Sequence, residues 1–451
     1  MTVLAFSAPI VVVASFAPFV ITYDGAGAPF AYVVGAAILL LFAVGYTAMG
    51  RYIPNAGAFY AYITAGIGRT LGFGASFFAM LGYVLMAVGT VCLFGVATSA
   101  LVADVFRGPE IAWQYCSVAC LLGSGILGYF RIDLSAKVLL FAMSAEAAIV
   151  LVFDVAVFGD GGPEGRTVAP FSWGEFSSGS IGLAVLFAAT SFLGFEATAV
   201  FREETKDPDR TVPRATYAAV ICIGLFYIVS VWALVTAYGP SAAQGVATHN
   251  YAGMFNAAME SFVGVWARDV VQVLVVTSAF ACLLSVQNIL ARYVYSLGVD
   301  EVLPSVLGRA HPKHGSPSIA SMTVSAILLG TLLANIGSDP AHLYGMLAGA
   351  GGFAILVLMF LTSVSVVVFF RRRPEAKVPL WHRVITPTVS ALSLAGVIYL
   401  ATINFTTMTG GSMTAAVILQ AVLWGVYGVG VLVALVYRAK RPDIYLRIGR
   451  Q

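Results

Sequence analysis

The segment from Gly194 to Ala215, GFEATAVFREETKDPDRTVPRA, decides the class of fold. It places a carboxylate, Glu196, beside a glycine near the end of an apolar stretch, and a dense run of charged residues follows at once. A carboxylate inside a bilayer costs about 2.5 to 3.5 kcal/mol, so such a residue is typically one that contacts a substrate, an ion or a proton. The stretch therefore predicts a membrane-spanning helix, and Glu196 is a candidate functional residue.

The composition of the whole chain agrees with this prediction. Hydrophobic residues make up 60% of the sequence and charged residues only 10%, with a mean hydropathy of +0.92, which excludes a soluble globular protein. A spanning helix needs about 20 apolar residues, and we predict twelve such helices. They lie near residues 3–23, 28–50, 72–103, 111–130, 136–158, 180–201, 215–238, 270–297, 317–336, 342–370, 385–404 and 414–437. We expect an all-α membrane protein with one polytopic domain over residues 1–437 and a tail over residues 438–451.

The distribution of basic residues predicts the orientation in the cell membrane. The first apolar segment is longer than the core of a signal peptide and has no basic residues before it, so we interpret it as the first span. Among 24 Lys and Arg residues, only Arg107, Arg166 and Arg268 fall on the side opposite the termini. The positive-inside rule then places both termini in the cytoplasm. The net charge of +3 follows from this bias and gives no reason to expect a nucleic-acid partner.

Catalytic and metal-binding patterns are absent from the sequence. The five cysteines lie in apolar segments without His or acid at ligand spacing, which indicates packing, and the sequence predicts no metal site and no cofactor. All five histidines lie in loops or at the ends of spans, so no acid–base constellation of an enzyme is visible. Nor are there the polar rings or selectivity loops of a channel.

Two predicted spans carry interruptions. Residues 11–19 of the first read VVVASFAPF, in which Pro18 cannot donate to the preceding turn. Residues 190–196 of the sixth read TSFLGFE. These spans begin the two halves of a five-plus-five repeat, where broken helices expose backbone N–H and C=O groups near the bilayer centre. A zwitterion suits such a site, since half-helix N-termini favour a carboxylate and freed carbonyls an ammonium group.

Three stretches in the same order as in known permeases carry a resemblance over residues 11–320. They are the opening segment; PNAGAFYAYITAGIGRTLGFG at residues 54–74; and NILARYVYSLGVDEVLPSVLGRAHPKHGSPSIA at residues 288–320. In the opening segment the matching residues are Gly194, Glu196, Glu203, Glu204, Lys206, Pro208, Arg210 and Pro213. On these residues the chain resembles the amino acid–polyamine–organocation (APC) superfamily.

The resemblance implies a LeuT-type fold and alternating access for amino acids or polyamines. Spans 1–5 (about 3–158) and 6–10 (about 180–370) would be inverted repeats with broken helices 1 and 6, followed by spans 11–12 (about 385–437). The substrate carboxylate would meet backbone N–H groups of Val12, Val13, Ala14, Ser15 and Phe16. The substrate amino group would meet carbonyls of Thr190, Ser191, Phe192 and Leu193, next to Gly194.

This sequence departs from the family pattern at both breaks. The small Gly-Ser-Gly type stretch of relatives is Val-Val-Val-Ala-Ser here. Thr190 stands where relatives often place an aromatic gate, so Phe187 or Phe192 is the candidate to replace that ring.

The predicted coupling residues are Glu146, Glu196 and Ser278. Glu146 lies mid-span and coincides with a lysine that replaces a sodium ion in several sodium-independent relatives, and Ser278 corresponds to serines of the same region. Glu146 would carry a proton, since burial favours the neutral acid, or ligate Na⁺ with Ser278, or form a neutral hydrogen-bonded helix contact. Glu196 has three interpretations: a proton carrier, a contact for a substrate amine, or a hydrogen-bond partner of free backbone.

We therefore expect proton-coupled uptake of a neutral amino acid, with H⁺ or Na⁺ as the candidate coupling ions. The alternatives are a sodium symporter, an amino acid/polyamine exchanger and, in a different class, a membrane sensor that does not transport. The charged run at residues 202–210 is either an ion-pair gate or an ordinary solvated face.

Overall fold

The computed structural model describes residues 8–53, 58–130, 136–195, 207–311 and 315–449. Within these ranges the chain is helical and has no β-strand. The all-α prediction is confirmed for this part of the chain.

The first half begins with a helical segment of mixed geometry. A short α-helix passes into a π-helical turn at Val12–Phe16, continues as a second α-helix, and ends in a 3₁₀ turn at Gly25–Gly27. The α-helices of this half are α1 (Pro9–Val11), α2 (Ala17–Asp24), α3 (Ala28–Gly50), α4 (Ala58–Gly66), α5 (Arg69–Ala100), α6 (Trp113–Phe130), α7 (Ala136–Asp160), α8 (Trp173–Phe176) and α9 (Ile181–Thr190).

The second half continues with further α-helices. Those described are α10 (Pro208–Tyr238), α11 (Pro240–Asn250), α12 (Met254–Phe262), α13 (Val265–Val299), α14 (Ser318–Ala334), α15 (Pro340–Arg371), α16 (Thr386–Ile403), α17 (Phe405–Met408), α18 (Met413–Lys440) and α19 (Pro442–Arg447).

Eight described helical segments are long and apolar enough to cross a membrane. They are Pro9–Gly50, Arg69–Val105, Leu140–Asp160, Arg210–Tyr238, Val265–Val299, Pro340–Arg371, Trp381–Ile403 and Met413–Lys440. The first contains two of the predicted spans, and α6, α9 and α14 lie at the predicted fourth, sixth and ninth spans. The chain is a multi-pass membrane protein.

A glycine turn separates the first two predicted spans. Gly25 has a φ of +56°, a left-handed conformation that favours glycine. Pro29 lies in the first turn of α3, where a backbone N–H would have no hydrogen-bond partner within the helix. This turn is short, so α2 and α3 leave it as neighbouring helices.

The centre of the molecule depends on close contact between α5 and α15. A Cβ atom at Gly351 would lie 2.7 Å from the carbonyl oxygen of Gly82, and one at Gly82 would lie 2.9 Å from Cβ of Ala354. Small residues allow the backbones of membrane helices to approach in this way. The two glycines therefore set the distance between the two central helices.

The last helix, α19, packs back onto the ends of two spanning helices. Ile444 and Ile448 are buried in a cluster with Phe73 of α5 and Leu297 of α13. The Tyr445 and Thr70 hydroxyls are 2.9 Å apart. The predicted tail thus includes a folded segment with its own apolar contacts.

The α5–α15 contact predicts different effects of alanine at two helix glycines. Gly351→Ala should destabilise the protein by about 1 to 3 kcal/mol, because the added methyl group overfills a packed interface. Gly425→Ala is the matched control, since a Cβ there meets no atom within 4 Å. Thermal unfolding of the purified protein in detergent measures the difference, and equal melting temperatures for the two variants would contradict the predicted interface.

Candidate functional site

Glu146 joins three helices in the interior. Its side chain is only 3% exposed and lies on the buried face of α7. One carboxylate oxygen, Oε2, accepts a hydrogen bond from the backbone N–H of Ile10 over 3.3 Å. The carboxylate is also hydrogen-bonded to the side chain of Ser278 in α13. The structure thus brings the predicted residues Glu146 and Ser278 together at the start of α1.

The start of α1 is a favourable place for a negative charge. The first N–H groups of a helix have no partner within the helix, and its dipole is positive at that end. Ala8, the residue before α1, provides no capping side chain, and Glu146 provides an acceptor from α7 instead. The hydrogen bond from Ile10 to Glu146 therefore links α1 to α7, and the contact with Ser278 links α7 to α13.

The predicted break in the first helix is a π-helical turn rather than an unwound gap. The N–H of Ala17 donates to the carbonyl oxygen of Val12, five residues earlier. Pro18 has no N–H to donate to the preceding turn, and single π turns inside α-helices are frequent at functional sites. The N–H of Val12 is bonded to the Ala8 carbonyl over 3.1 Å. The expectation of free backbone donors is therefore wrong at Val12, while Val12, Val13, Ala14, Ser15 and Phe16 are all buried as a wide helical turn.

The predicted interruption of the sixth segment is present. Helix α9 ends at Thr190, residues 191–195 form turns, and Gly194 has a φ of +110°. The Thr190 hydroxyl donates to the Leu186 carbonyl over 2.7 Å, and the Ser191 hydroxyl donates to the Phe187 carbonyl over 2.9 Å. Both hydroxyls thus donate to carbonyls of the preceding helical turn.

The backbone after Thr190 remains tightly turned. The N–H of Phe192 donates to the Ala189 carbonyl over 3.2 Å, and the N–H of Leu193 donates to the Thr190 carbonyl over 3.1 Å. A carbonyl oxygen has two lone pairs, so the Thr190 carbonyl can still accept from a second donor.

An aromatic cluster covers one side of the π turn. Phe187 of α9 lies at its centre, with ring centroids 6.1 Å from Phe16, 5.3 Å from Phe19 and 5.4 Å from Tyr23. We define the aromatic cluster as Phe16, Phe19, Tyr23, Phe187, Tyr251 and Tyr344.

The two candidates for the missing gate aromatic have different surroundings. Phe192 packs edge-on against Tyr227 of α10 at 5.7 Å, and a Cβ at Gly224 would lie 3.3 Å from its ring. Phe187 contacts the first helix instead. Of the two residues, the geometry favours Phe187 as the ring that replaces Thr190.

A small cavity lies beside the aromatic cluster. Its volume is about 20 Å³, and its lining residues include Ser15, Leu93, Val96, Pro340 and the two tyrosines Tyr251 and Tyr344. This is room for a water molecule but not for an amino acid. The Tyr251 hydroxyl makes no hydrogen bond within the described part of the chain, and the Tyr344 hydroxyl faces the side chain of Ser15.

A larger groove of about 220 Å³ lies elsewhere, between α7 and α10. Its lining is mainly apolar and includes Pro9, Leu140, Met143 and Phe226. It lacks the convergent polar groups of a substrate site.

Two buried carboxylates were missed by the sequence analysis. Asp154, two turns after Glu146, is 3% exposed, and its Oδ2 accepts a hydrogen bond from Ser230 over 2.8 Å. Asp24 at the end of α2 is 1% exposed. An acid within an apolar run was the signal that singled out Glu146, and it applies equally to the segment VLVFDVAVF around Asp154.

Glu196 and the charged residues 202–206 lie outside the described residues. Their predicted roles stay predictions.

Sequence comparisons identify the family to which these features belong. The profile of the family described as "Amino acid permease" matches residues 1–427. The chain belongs to this family. By sequence it is a permease of the APC superfamily.

The names of individual relatives refer to different substrates. The branched-chain amino acid permease BcaP of Bacillus subtilis is 25% identical over 79% of this chain and 77% of its own length. The low-affinity putrescine importer PlaP of Escherichia coli is 25% identical over 67% of this chain and 66% of its own length. A probable GABA permease of Pseudomonas aeruginosa is 26% identical over 74% and 70%, respectively.

The position of Phe187 predicts that its removal opens the cavity. Each aromatic pair contributes about 0.5 to 1.5 kcal/mol, and about 1.4 kcal/mol changes a population tenfold. Phe187→Ala should therefore raise the reaction rate of Ser15→Cys with a soluble thiol reagent by roughly tenfold, measured in a background without the five native cysteines. Phe192→Ala is the control and should leave that rate near wild type. Equal acceleration by both substitutions would contradict a specific role for Phe187.

Proposed function

We propose that this chain imports neutral amino acids in symport with protons, by alternating access. The proposal includes twelve spans with both termini in the cytoplasm and a LeuT-type pair of five-helix inverted repeats. The observation that carries it is the pair of contacts from Glu146 to Ile10 and Ser278. These contacts link one ionisable side chain to three helices of the proposed moving core.

Protonation of Glu146 is the proposed coupling step. The carboxylate is held at the positive end of α1, where its negative charge has the greatest effect. A proton on Glu146 removes that charge and loosens α1 from α7 and α13, whereas loss of the proton restores the contact. The helix that carries Val12 to Phe16 then changes position with each protonation cycle.

The burial of Glu146 supports a proton rather than a sodium ion, because an enclosed carboxyl group favours its neutral form. The N–H of Ile10, 3.3 Å from Oε2, occupies one of the two carboxyl oxygens. A carboxylic acid keeps one oxygen as an acceptor for that N–H while it carries a proton on the other. Sodium bound through Glu146 and Ser278 is the alternative coupling mode.

The lining of the cavity supports a neutral substrate. The lining residues named above are apolar apart from the hydroxyls of Ser15, Tyr251 and Tyr344, so no described lining side chain would pair with a charged substrate side chain. In the proposed complex the substrate carboxylate lies against the π turn and its amino group against the carbonyls at Thr190 to Leu193. An amino acid/polyamine exchanger is the alternative substrate class, since relatives include a putrescine importer by name.

The decisive experiment is uptake into proteoliposomes with imposed gradients. A panel of neutral amino acids, charged amino acids and putrescine is tested with a proton gradient, a sodium gradient, or sodium equal on both sides. We expect a proton gradient alone to drive concentrative uptake of at least one neutral amino acid. Accumulation driven only by the sodium gradient would overturn proton coupling.

Variants of Glu146 test its role directly. Glu146→Gln cannot release a proton, so uptake should continue down a substrate gradient while its response to the proton gradient is lost. Ser144→Ala is a control on the same helix, since the Ser144 hydroxyl is exposed and bonds only its own helix at the Leu140 carbonyl. An unchanged gradient response in Glu146→Gln would return that residue to a structural role.

Glu196 is tested in parallel by Glu196→Gln. If Glu196 carries the coupling proton instead, this variant loses the gradient response while Glu146→Gln keeps it. The absence of counterflow for every amino acid and polyamine would favour a membrane sensor over a transporter.

A further inference from the structure

Asp24, the last residue of α2, is enclosed by the short segment that precedes α9. Its side chain is only 1% exposed. A Cβ atom at Gly179 would lie 2.8 Å from Asp24 Oδ1, and one at Gly27 would lie 2.8 Å from Oδ2 and 2.6 Å from Cα of Phe176. Residues 176–180 thus pack directly against the carboxyl group, and we call them the cover.

The enclosed carboxyl group of Asp24 has nothing to stabilise a negative charge. Both of its oxygens lack a hydrogen-bond partner among the described residues, and it lies at the C-terminal end of α2, where the helix dipole is negative. A buried charge without a partner costs far more free energy than a buried neutral group, so such a carboxylate takes up a proton. The closed structure therefore favours the neutral acid at Asp24.

The elements packed around Asp24 offer it no positive charge. Glu175 of α8 repels a negative charge on Asp24, while α3, α9 and the 3₁₀ turn before α8 contain no charged residue. From α11, the uncharged Gln244 packs against the turn after α2, and His249 is exposed and bonds its own helix. The neighbouring Tyr23 packs its ring into the aromatic cluster.

The cover is held in place by few contacts. Phe176 is 2% exposed, and its ring packs edge-on against Phe30 of α3 with centroids 4.9 Å apart. The two residues that follow it are exposed, and the N–H of Ser180 donates to the Tyr23 carbonyl over 2.7 Å. A segment with few buried apolar contacts opens locally at a small cost in free energy. Lifting the cover would admit water to Asp24.

We propose that Asp24 carries a proton while the cover is closed and releases it when the cover lifts. An exposed aspartate titrates near about pH 4, so above that pH the open form is ionised while the closed form stays neutral. The open form then binds one proton fewer, and opening becomes more favourable as the pH rises, by about tenfold per pH unit. The cover is thus a pH-sensitive lid that needs neither substrate nor an ion gradient and is separate from coupling at Glu146.

The reaction of Ser180→Cys with a soluble thiol reagent tests the lid, because the Ser180 hydroxyl oxygen is buried while the cover is closed. The purified protein carries this substitution in a background without the native cysteines. Each rate is divided by the rate measured with Asp24→Asn in addition, which removes the effect of pH on the thiol itself. We expect this ratio to rise about a hundredfold between about pH 5 and about pH 7. A constant ratio would overturn the proposal, whatever the outcome of the transport experiments.

Ser177→Cys is the matched control within the cover. The Ser177 hydroxyl is exposed and donates to the Gly174 carbonyl, so a thiol there is accessible without opening. Its rate ratio between Asp24 and Asp24→Asn should stay near one at every pH. A rise equal to that of Ser180→Cys would show that Asp24 does not act through local opening, and would also overturn the lid.

A second comparison keeps Asp24 in place and so guards against misfolding of Asp24→Asn. The rate of Ser180→Cys is divided by that of Ser177→Cys at each pH, and this quotient should rise with pH. In Glu175→Gln the rise should level off at a lower pH, because the carboxylate of Asp24 is then repelled less while the cover is closed. A quotient that is independent of pH would overturn the lid, and an identical profile in Glu175→Gln would overturn the placement of the proton on Asp24.

Discussion

The contact between Glu146 and the first turn of α1 follows from a constraint that applies to every helix of a membrane protein. In an apolar medium every backbone donor and every side-chain charge needs a partner from the protein itself. α1 begins inside the structure without a local cap, and a carboxylate from another helix supplies the acceptor. The position of the first helix is thus held in part by a contact with an ionisable side chain from another helix.

The same constraint explains how the two interrupted helices differ. Proline in the first segment removes a donor, and the chain responds by lengthening one turn into π geometry, so its backbone groups stay paired. In the sixth segment the helix ends at Thr190, and the turns that follow contain Gly194 with a positive φ. The first interruption is a widened helical turn, and the second is the end of a helix. The two helices meet at the aromatic cluster, where Phe187 packs against the first helix.

Much of the architecture was predictable because hydropathy records which segments can leave water. The apolar runs located the spanning helices, and the TSFLG sequence located the end of α9. Side-chain direction was harder. Sequence spacing alone does not reveal that Phe187 faces α2 while Phe192 faces α10, since both lie in a uniformly apolar segment. The π turn was missed because valines and alanine permit either geometry, and the choice depends on where Pro18 forces the hydrogen bonds to shift. Asp24 was overlooked because a short polar turn between two spans resembles a solvated loop until its cover, residues 176–180, is known.

The final helix, α19, connects parts of the chain that are distant in sequence. Ile444 and the following Ile448 lie between the start of α5 and the end of α13, and Arg447 pairs with Glu301 over 3.1 Å. These contacts tie the last residues of the described chain to the helix that also carries Ser278. The terminal segment therefore works as a clamp that holds the end of α13 against the start of α5.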